Sequence, residues 1–225
     1  MAAKNSVKPY IENACYHIYN RGVEKRVIFL DKQDYAVFLS YLKEYLSPQD
    51  KDELRQQLSK IETSPKEKDK IIKLVRMNNF AGEITLYAFC LMSNHFHLLV
   101  KQASADAIDK FMNSLCTRYS MYFNKKYNRV GPLFQGVYKA VHIKRQDYLI
   151  YLTRYIHYQA RQIGKNAAHP SSIEYYLGIN NSAWVKPNDI LAYFSKTNHN
   201  LTYKAFMEQT DRRKSFDEIY FARID

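Results

Sequence analysis

Two apolar, strand-length runs parted by one polar pair, ITLYAFCLM and HFHLLVK on either side of Ser93-Asn94, restrict this chain more than any other feature. Runs of that length and composition form strands, and the first, apolar at almost every position, has to be covered on both faces. The second carries His95 and His97. Side chains alternate along a strand, so both rings face one way with Cα atoms about 7 Å apart, while Phe96, Leu98 and Val100 face the other. Two imidazoles at that distance suit one divalent metal, whereas a lone histidine in such a strand would be an ordinary hydrogen-bonded core residue.

A second segment, DYLIYLTRYIHYQARQ from Asp147 to Gln162, has no proline or glycine and starts with an acidic residue, as a helix N-terminus favours. Tyr155 and Gln159 are four apart and share one helical face, which Tyr148, Tyr151 and Leu152 continue. In a chain with 20 tyrosines that spacing says little by itself. Joined to His-x-His it becomes a specific arrangement.

Around these segments the pattern alternates strands with helices. Cys15 to Asn20 reads as a strand; His17 lies in it, and with no neighbour to pair with it reads as structural or as a contact to a binding partner. Asp31 to Leu46 reads as a helix burying Tyr35, Phe38, Leu39 and Leu42. From Gln49 to Asn79 the composition turns charged. There Leu54, Leu58 and Ile61 mark one helix, and Ser64-Pro65 with Glu67 opens another through Ile71, Ile72, Leu74 and Val75. Ser104 is placed to cap a long helix whose stripe runs from Ile108 to Phe123 and whose exposed side and end carry Arg118, Lys125, Lys126 and Arg129. Val137 to Ile143 fits a strand leading into the tyrosine helix, and Tyr203 to Thr210 a final helix. The sum is an α+β fold with an antiparallel sheet.

Composition narrows the function. The formal charge of +12 favours a polyanionic partner, and 20 tyrosines with 12 phenylalanines favour bases that can stack on them. No apolar run approaches a membrane span, and the N-terminus lacks the apolar core of a signal peptide, so a cytoplasmic protein with no membrane partner is expected. Cys15, Cys90 and Cys116, odd in number and far apart, read as reduced thiols.

Taken in order, CYHIYNRG, IFLDKQDYAVFLSYL, MSNHFHLLV, RYSMYFNKKYNRVGPLFQG, YLTRYIHYQ and the tail SSIEYYLG with Trp184 and ILAYF resemble the HUH-superfamily transposases with a single catalytic tyrosine. The resemblance is to the insertion-sequence type and closest to the REP-associated tyrosine transposases. Two positions differ from the REP-associated pattern: Ser93 stands where proline is usual, and Gln159-Ala160 where Asn-Pro is common, as in insertion-sequence members. The resemblance implies a central antiparallel, ferredoxin-like sheet with helices against it. Residues 1–165 would form the catalytic domain, with a charged helical hairpin inserted at 48–80, and residues 166–225 a mainly helical extension. His95, His97 and Gln159 would bind Mg2+ or Mn2+, and Tyr155 would be the nucleophile. Arg118, Lys125, Lys126, Arg129 and His17 are candidates to contact DNA. The substrate would be single-stranded DNA beside a hairpin, cut to a 5′-phosphotyrosine and rejoined. Two alternatives stand beside this: a metal-dependent nuclease using water, and a catalytically silent hairpin-binding protein. Monomers and homodimers are both open.

Overall fold

The structure, a computed structural model, describes residues 10–60, 64–160 and 169–209. The chain divides into two compact units, one ending at Pro187 and one starting at Asn188. In the first, four strands form a fully antiparallel sheet in the order β2-β3-β1-β4: β1 Cys15–Arg21, β2 Ile84–Leu91, β3 His95–Gln102 and β4 Lys139–Ile143. Its helices are α1 Lys32–Leu46, α2 Lys51–Ser59, α3 Pro65–Arg76, α4 Ala107–Lys126, α5 Gln146–Ala160 and the short α6 Ile173–Tyr176. The fold class is α+β, as the alternating pattern implies.

The alternation of β1 and β3 divides the sheet. Tyr16, Ile18, Phe96, Leu98 and Val100 enter one apolar cluster with Phe38 and Leu42 of α1 and Phe111, Leu115 and Tyr119 of α4. Each fully buried Leu or Phe of that face contributes roughly 1.5–3 kcal/mol, so the pairing register is strongly held. The opposite face, with His17 and His97, meets α5, which packs against β2, β3 and β4.

Local chemistry sets the helix ends. Asp31 and Asp34 form a reciprocal capping box at the start of α1. Ser64 and Glu67 do the same for α3, with Pro65 in its first turn. Ser104 does not cap α4: its hydroxyl bonds Glu83 and Asp106, and the helix begins three residues later. β4 starts at Lys139, not Val137, because Asn20 Nδ2 takes the Gly136 carbonyl before pairing begins. The tyrosine helix ends within the described residues at Ala160; Arg161, Gln162 and Ile61 lie outside them.

β2 is an edge strand, and residues 170–186 cover it. Leu91 N–H donates to the Pro170 carbonyl at 2.9 Å, Ser172 N–H to the Phe89 carbonyl at 3.1 Å, and Lys186 N–H to the Leu86 carbonyl at 2.9 Å. His157 of α5 bonds the Ser172 hydroxyl at 2.8 Å, tying this strap to the tyrosine helix. The second unit contains α7 Asn188–Leu191 and α8 Tyr203–Glu208, with Phe194, Tyr203 and Phe206 in mutual ring contact. Thr210, at the end of the expected last helix, is outside the described residues.

Asp34, fully buried, joins the start of α1 to the end of α4. It accepts from Leu30 N–H at 2.8 Å, Tyr122 at 2.9 Å, Tyr127 at 2.8 Å and Lys126 at 2.8 Å. Burial opposes its ionisation, but these donors outweigh it and hold the carboxyl below its usual range. Asp34→Ala leaves the Leu30 N–H and the Tyr122 and Tyr127 hydroxyls without this acceptor while Lys126 keeps Asp31, and should cost about 1–3 kcal/mol in denaturant unfolding. A carboxyl depressed in the folded state adds stability that is present above its unfolded pKa and lost as pH falls through the folded one. The gap between wild type and Asp34→Ala should therefore shrink on acidification below the ordinary carboxylate range.

Candidate active site

His95 and His97 project from β3 toward α5, their ring centroids 5.0 Å apart and their planes nearly perpendicular. β1 pairs beside them, with Tyr19 opposite His97 and Arg21 opposite His95. From α5, Tyr155 sets its ring edge-on to His97 at 5.8 Å between centroids. Helix and strand thus bring the tyrosine and the histidine pair together within one chain. Gln159 lies one turn beyond Tyr155 on α5, half-buried.

Each histidine is oriented by a neighbour. Asn94 Nδ2 donates to the Lys25 carbonyl at 3.2 Å, which turns its Oδ1 toward His95 Nδ1 at 2.7 Å. An amide oxygen only accepts, so the His95 proton sits on Nδ1 and Nε2 carries the lone pair. His97 Nδ1 lies 2.9 Å from His17 Nε2. With the shared proton on His97 Nδ1, its Nε2 is also a lone pair, and that atom is buried without a hydrogen-bond partner. Leaving such a group unsatisfied costs about 1–3 kcal/mol.

The electrostatics favour neutral rings. Burial pushes His17 down to about 3. Burial, then the neighbouring His17 and His95, holds His97 well below the ordinary imidazole value. A neutral imidazole with an unused buried lone pair is the form a metal requires. His97 Nε2 and a ring nitrogen of His95, with a carboxamide oxygen, make a mixed donor set for a divalent ion, so the residues fit one. Among the described residues no group of three or more His, Cys, Asp or Glu is gathered for a metal. Cys90 pairs across from His97, but burial raises its thiol far above the usual range and it remains a packed thiol. Cys116 is likewise raised, to about 12.

Structure revises the reading of the other candidates. His17 does have a partner, supplied across the sheet by β3, and at 1% exposure it orients His97 from beneath and is closed to a DNA strand. Arg118 pairs with Glu44 at 2.7 Å and lies over the Tyr41 ring. Lys126 is held by Asp31 and Asp34. Arg129 bonds Asn124. Of the four cations on α4 and its end, Lys125 is the exposed one. The partners of Arg118 and Lys126 come from α1, its cap Asp31 and the turn after α4, and those of Arg129 from the end of α4 itself, none of which a solvated helical face reveals. Asn94 was not singled out, although its place directly before His95 was a usable signal. A cleft of about 470 Å³ lies elsewhere, lined by Leu39, Phe89, His157, Trp184 and neighbours, and does not include the histidine pair.

Residues 55–159 match the family model described as Transposase IS200 like. That span includes His95, His97, Tyr155 and Gln159 but not β1. Among solved structures the chain is similar to a REP-associated tyrosine transposase bound to a REP hairpin, at 9% identity and a TM-score of 0.48, covering 89% of this chain and 97% of that one. It is also similar to a candidate transposase of Deinococcus radiodurans R1, at 13% identity and a TM-score of 0.36, covering 69% and 97%. A third is the tRNA(His) guanylyltransferase of Saccharomyces cerevisiae, at 9% identity and a TM-score of 0.32, covering 91% and 80%. At these scores the likenesses carry no functional argument. No curated protein sequence matches the chain.

If Asn94 orients a metal ligand, Asn94→Ala should weaken Mn2+ binding about 10–100-fold by isothermal titration while the melting temperature moves little. Unchanged Mn2+ affinity would remove Asn94 from that role.

Proposed function

From the IS200-like transposase domain carried by residues 55–159, we propose that this protein cuts and rejoins single-stranded DNA by attack of Tyr155 on a phosphodiester, at sites beside a hairpin. One observation carries the reading: Tyr155 lies against His97, whose Nε2 is buried with no hydrogen-bond partner. A packing tyrosine would not require an unsatisfied imidazole beneath it.

His95, His97 and Gln159 would hold the divalent ion. When bound, Mg2+ or Mn2+ supplies Lewis-acid polarisation of the phosphate. The chain's own residues do the rest. Tyr155 loses its phenolic proton to solvent, and its Oη forms a bond to phosphorus as the bond from phosphorus to the 3′ oxygen breaks. The 3′ oxygen takes up a proton and leaves as a hydroxyl, while the 5′ side stays on the tyrosine. Because one phosphoester replaces another, an incoming 3′ hydroxyl reverses the step and joins DNA without ATP. The neutral state of His17 and His97, held by burial, keeps proton competition away from the ligand nitrogens.

Within one chain Tyr155 already meets its own histidines, which supports action by a monomer over a homodimer that exchanges the helix. The net charge of +12 supports a polyanionic substrate, with exposed Lys125 as a phosphate contact. Arg118, Lys126 and Arg129 act by shaping α4, through their intramolecular partners.

Incubation with a labelled single-stranded hairpin oligonucleotide and Mn2+ should give a denaturation-resistant adduct. Tyr155→Phe should abolish it, a chelator should prevent it, and oligonucleotide affinity should stay within about twofold, because a lost hydroxyl removes little of the phosphate attraction. Cutting without an adduct would favour the water-using nuclease. Binding with neither cutting nor adduct would favour a catalytically silent protein.

A further inference from the structure

The triplet Asn20-Arg21-Gly22 ends β1 beside the histidine pair, outside the residues that match the family. Two of its members have structural work. Asn20 Nδ2 donates to the Gly136 carbonyl at 3.1 Å, and its Oδ1 accepts from Arg21 N–H at 3.0 Å. Gly22 donates to the Asn94 carbonyl at 2.8 Å, and a Cβ there would lie 2.2 Å from the Arg26 carbonyl oxygen, so no side chain fits.

Arg21 is different. Its cross-strand partner is His95, which puts its side chain on the face of the sheet that carries His95, His97 and Tyr155. Gln135 grips it twice: Gln135 N–H donates to the Arg21 carbonyl at 2.9 Å, and Arg21 Nε donates to Gln135 Oε1 at 2.5 Å. A bond at Nε fixes the plane of the guanidinium.

We propose that Arg21 is a catalytic residue whose guanidinium binds a non-bridging oxygen of the scissile phosphate. This rests on the tyrosine-attack reading above. As Tyr155 Oη bonds to phosphorus, the phosphate passes from one negative charge toward two, spread over its non-bridging oxygens. A fixed guanidinium at those oxygens is worth more in the transition state than in the ground state. No proton moves through Arg21; it stays charged throughout. A rival cation is less well placed. Lys139 pairs opposite Tyr19 on β4, one strand farther from His97, and is exposed.

The test measures single-turnover adduct formation on a single-stranded hairpin oligonucleotide whose cleavage position has been mapped with the wild-type protein. The same position is then given a methylphosphonate, in which a neutral methyl replaces one charged oxygen. Arg21→Gln should slow adduct formation about 100–1,000-fold on the native linkage, with Arg21→Lys recovering part of it. On the methylphosphonate, wild type and Arg21→Gln should react at closely similar rates. Comparing two linkages with one protein preparation cancels any loss of folded fraction. An equal slowing on both linkages would make Arg21 structural and overturn the proposal, as would an unchanged rate on the native one. A wild-type protein that forms no adduct would sink the tyrosine-attack reading and this role with it, an outcome distinct from a defect confined to the variants.

Discussion

The site depends on the two-residue period of β3 held between two antiparallel neighbours. Phe96, Leu98 and Val100 are all fully buried in the cluster with α1 and α4. A one-residue slip would carry those three to the α5 side and push both imidazoles into hydrocarbon. The apolar face therefore fixes the polar one. The same register places Tyr19 and Arg21 across from His97 and His95, so β1 lines the face that carries both histidines. Where β1 ends, the Gly22 N–H and the Asn94 carbonyl join it to the turn that precedes the histidines.

Burial also gives the site its chemical character. Imidazoles in solution spend part of their time protonated near neutral pH, but His17 and His97 are enclosed and remain neutral. The stacked pair shares one hydrogen bond, and the outer nitrogen of His97 is left unsatisfied. That is an energetic loss in a molecule that satisfies its buried carboxylate, Asp34, with five donors. His97 Nε2 is one of several such buried atoms among the described residues, and the one that lies against Tyr155.

Much of this could be read from the residues alone. The strand pair with its polar turn, the direction of His95 and His97, the α1 stripe and the Ser64-Pro65-Glu67 helix start all follow from short-range periodicity and capping, and the structure has them. The choice of Tyr155 rests on the family resemblance, since spacing shows only that it shares a helical face with Gln159. What could not be read were contacts between distant segments. His17 gained its partner only when β1 and β3 paired. Lys126 and Arg118 looked solvated because their partners belong to α1. Ser104 looked like a cap, yet Glu83 competes for its hydroxyl. The strap over β2 gave no signal because irregular backbone has no period.

That strap has a consequence for how copies of this chain can meet. An uncovered edge strand offers its amides and carbonyls as a template on which a second sheet can grow, the route to runaway stacking. Here the 170–186 segment already occupies that template along β2. Lateral polymerisation from this border is closed, and the chain can carry a long, nearly all-apolar strand without gluing itself to its copies.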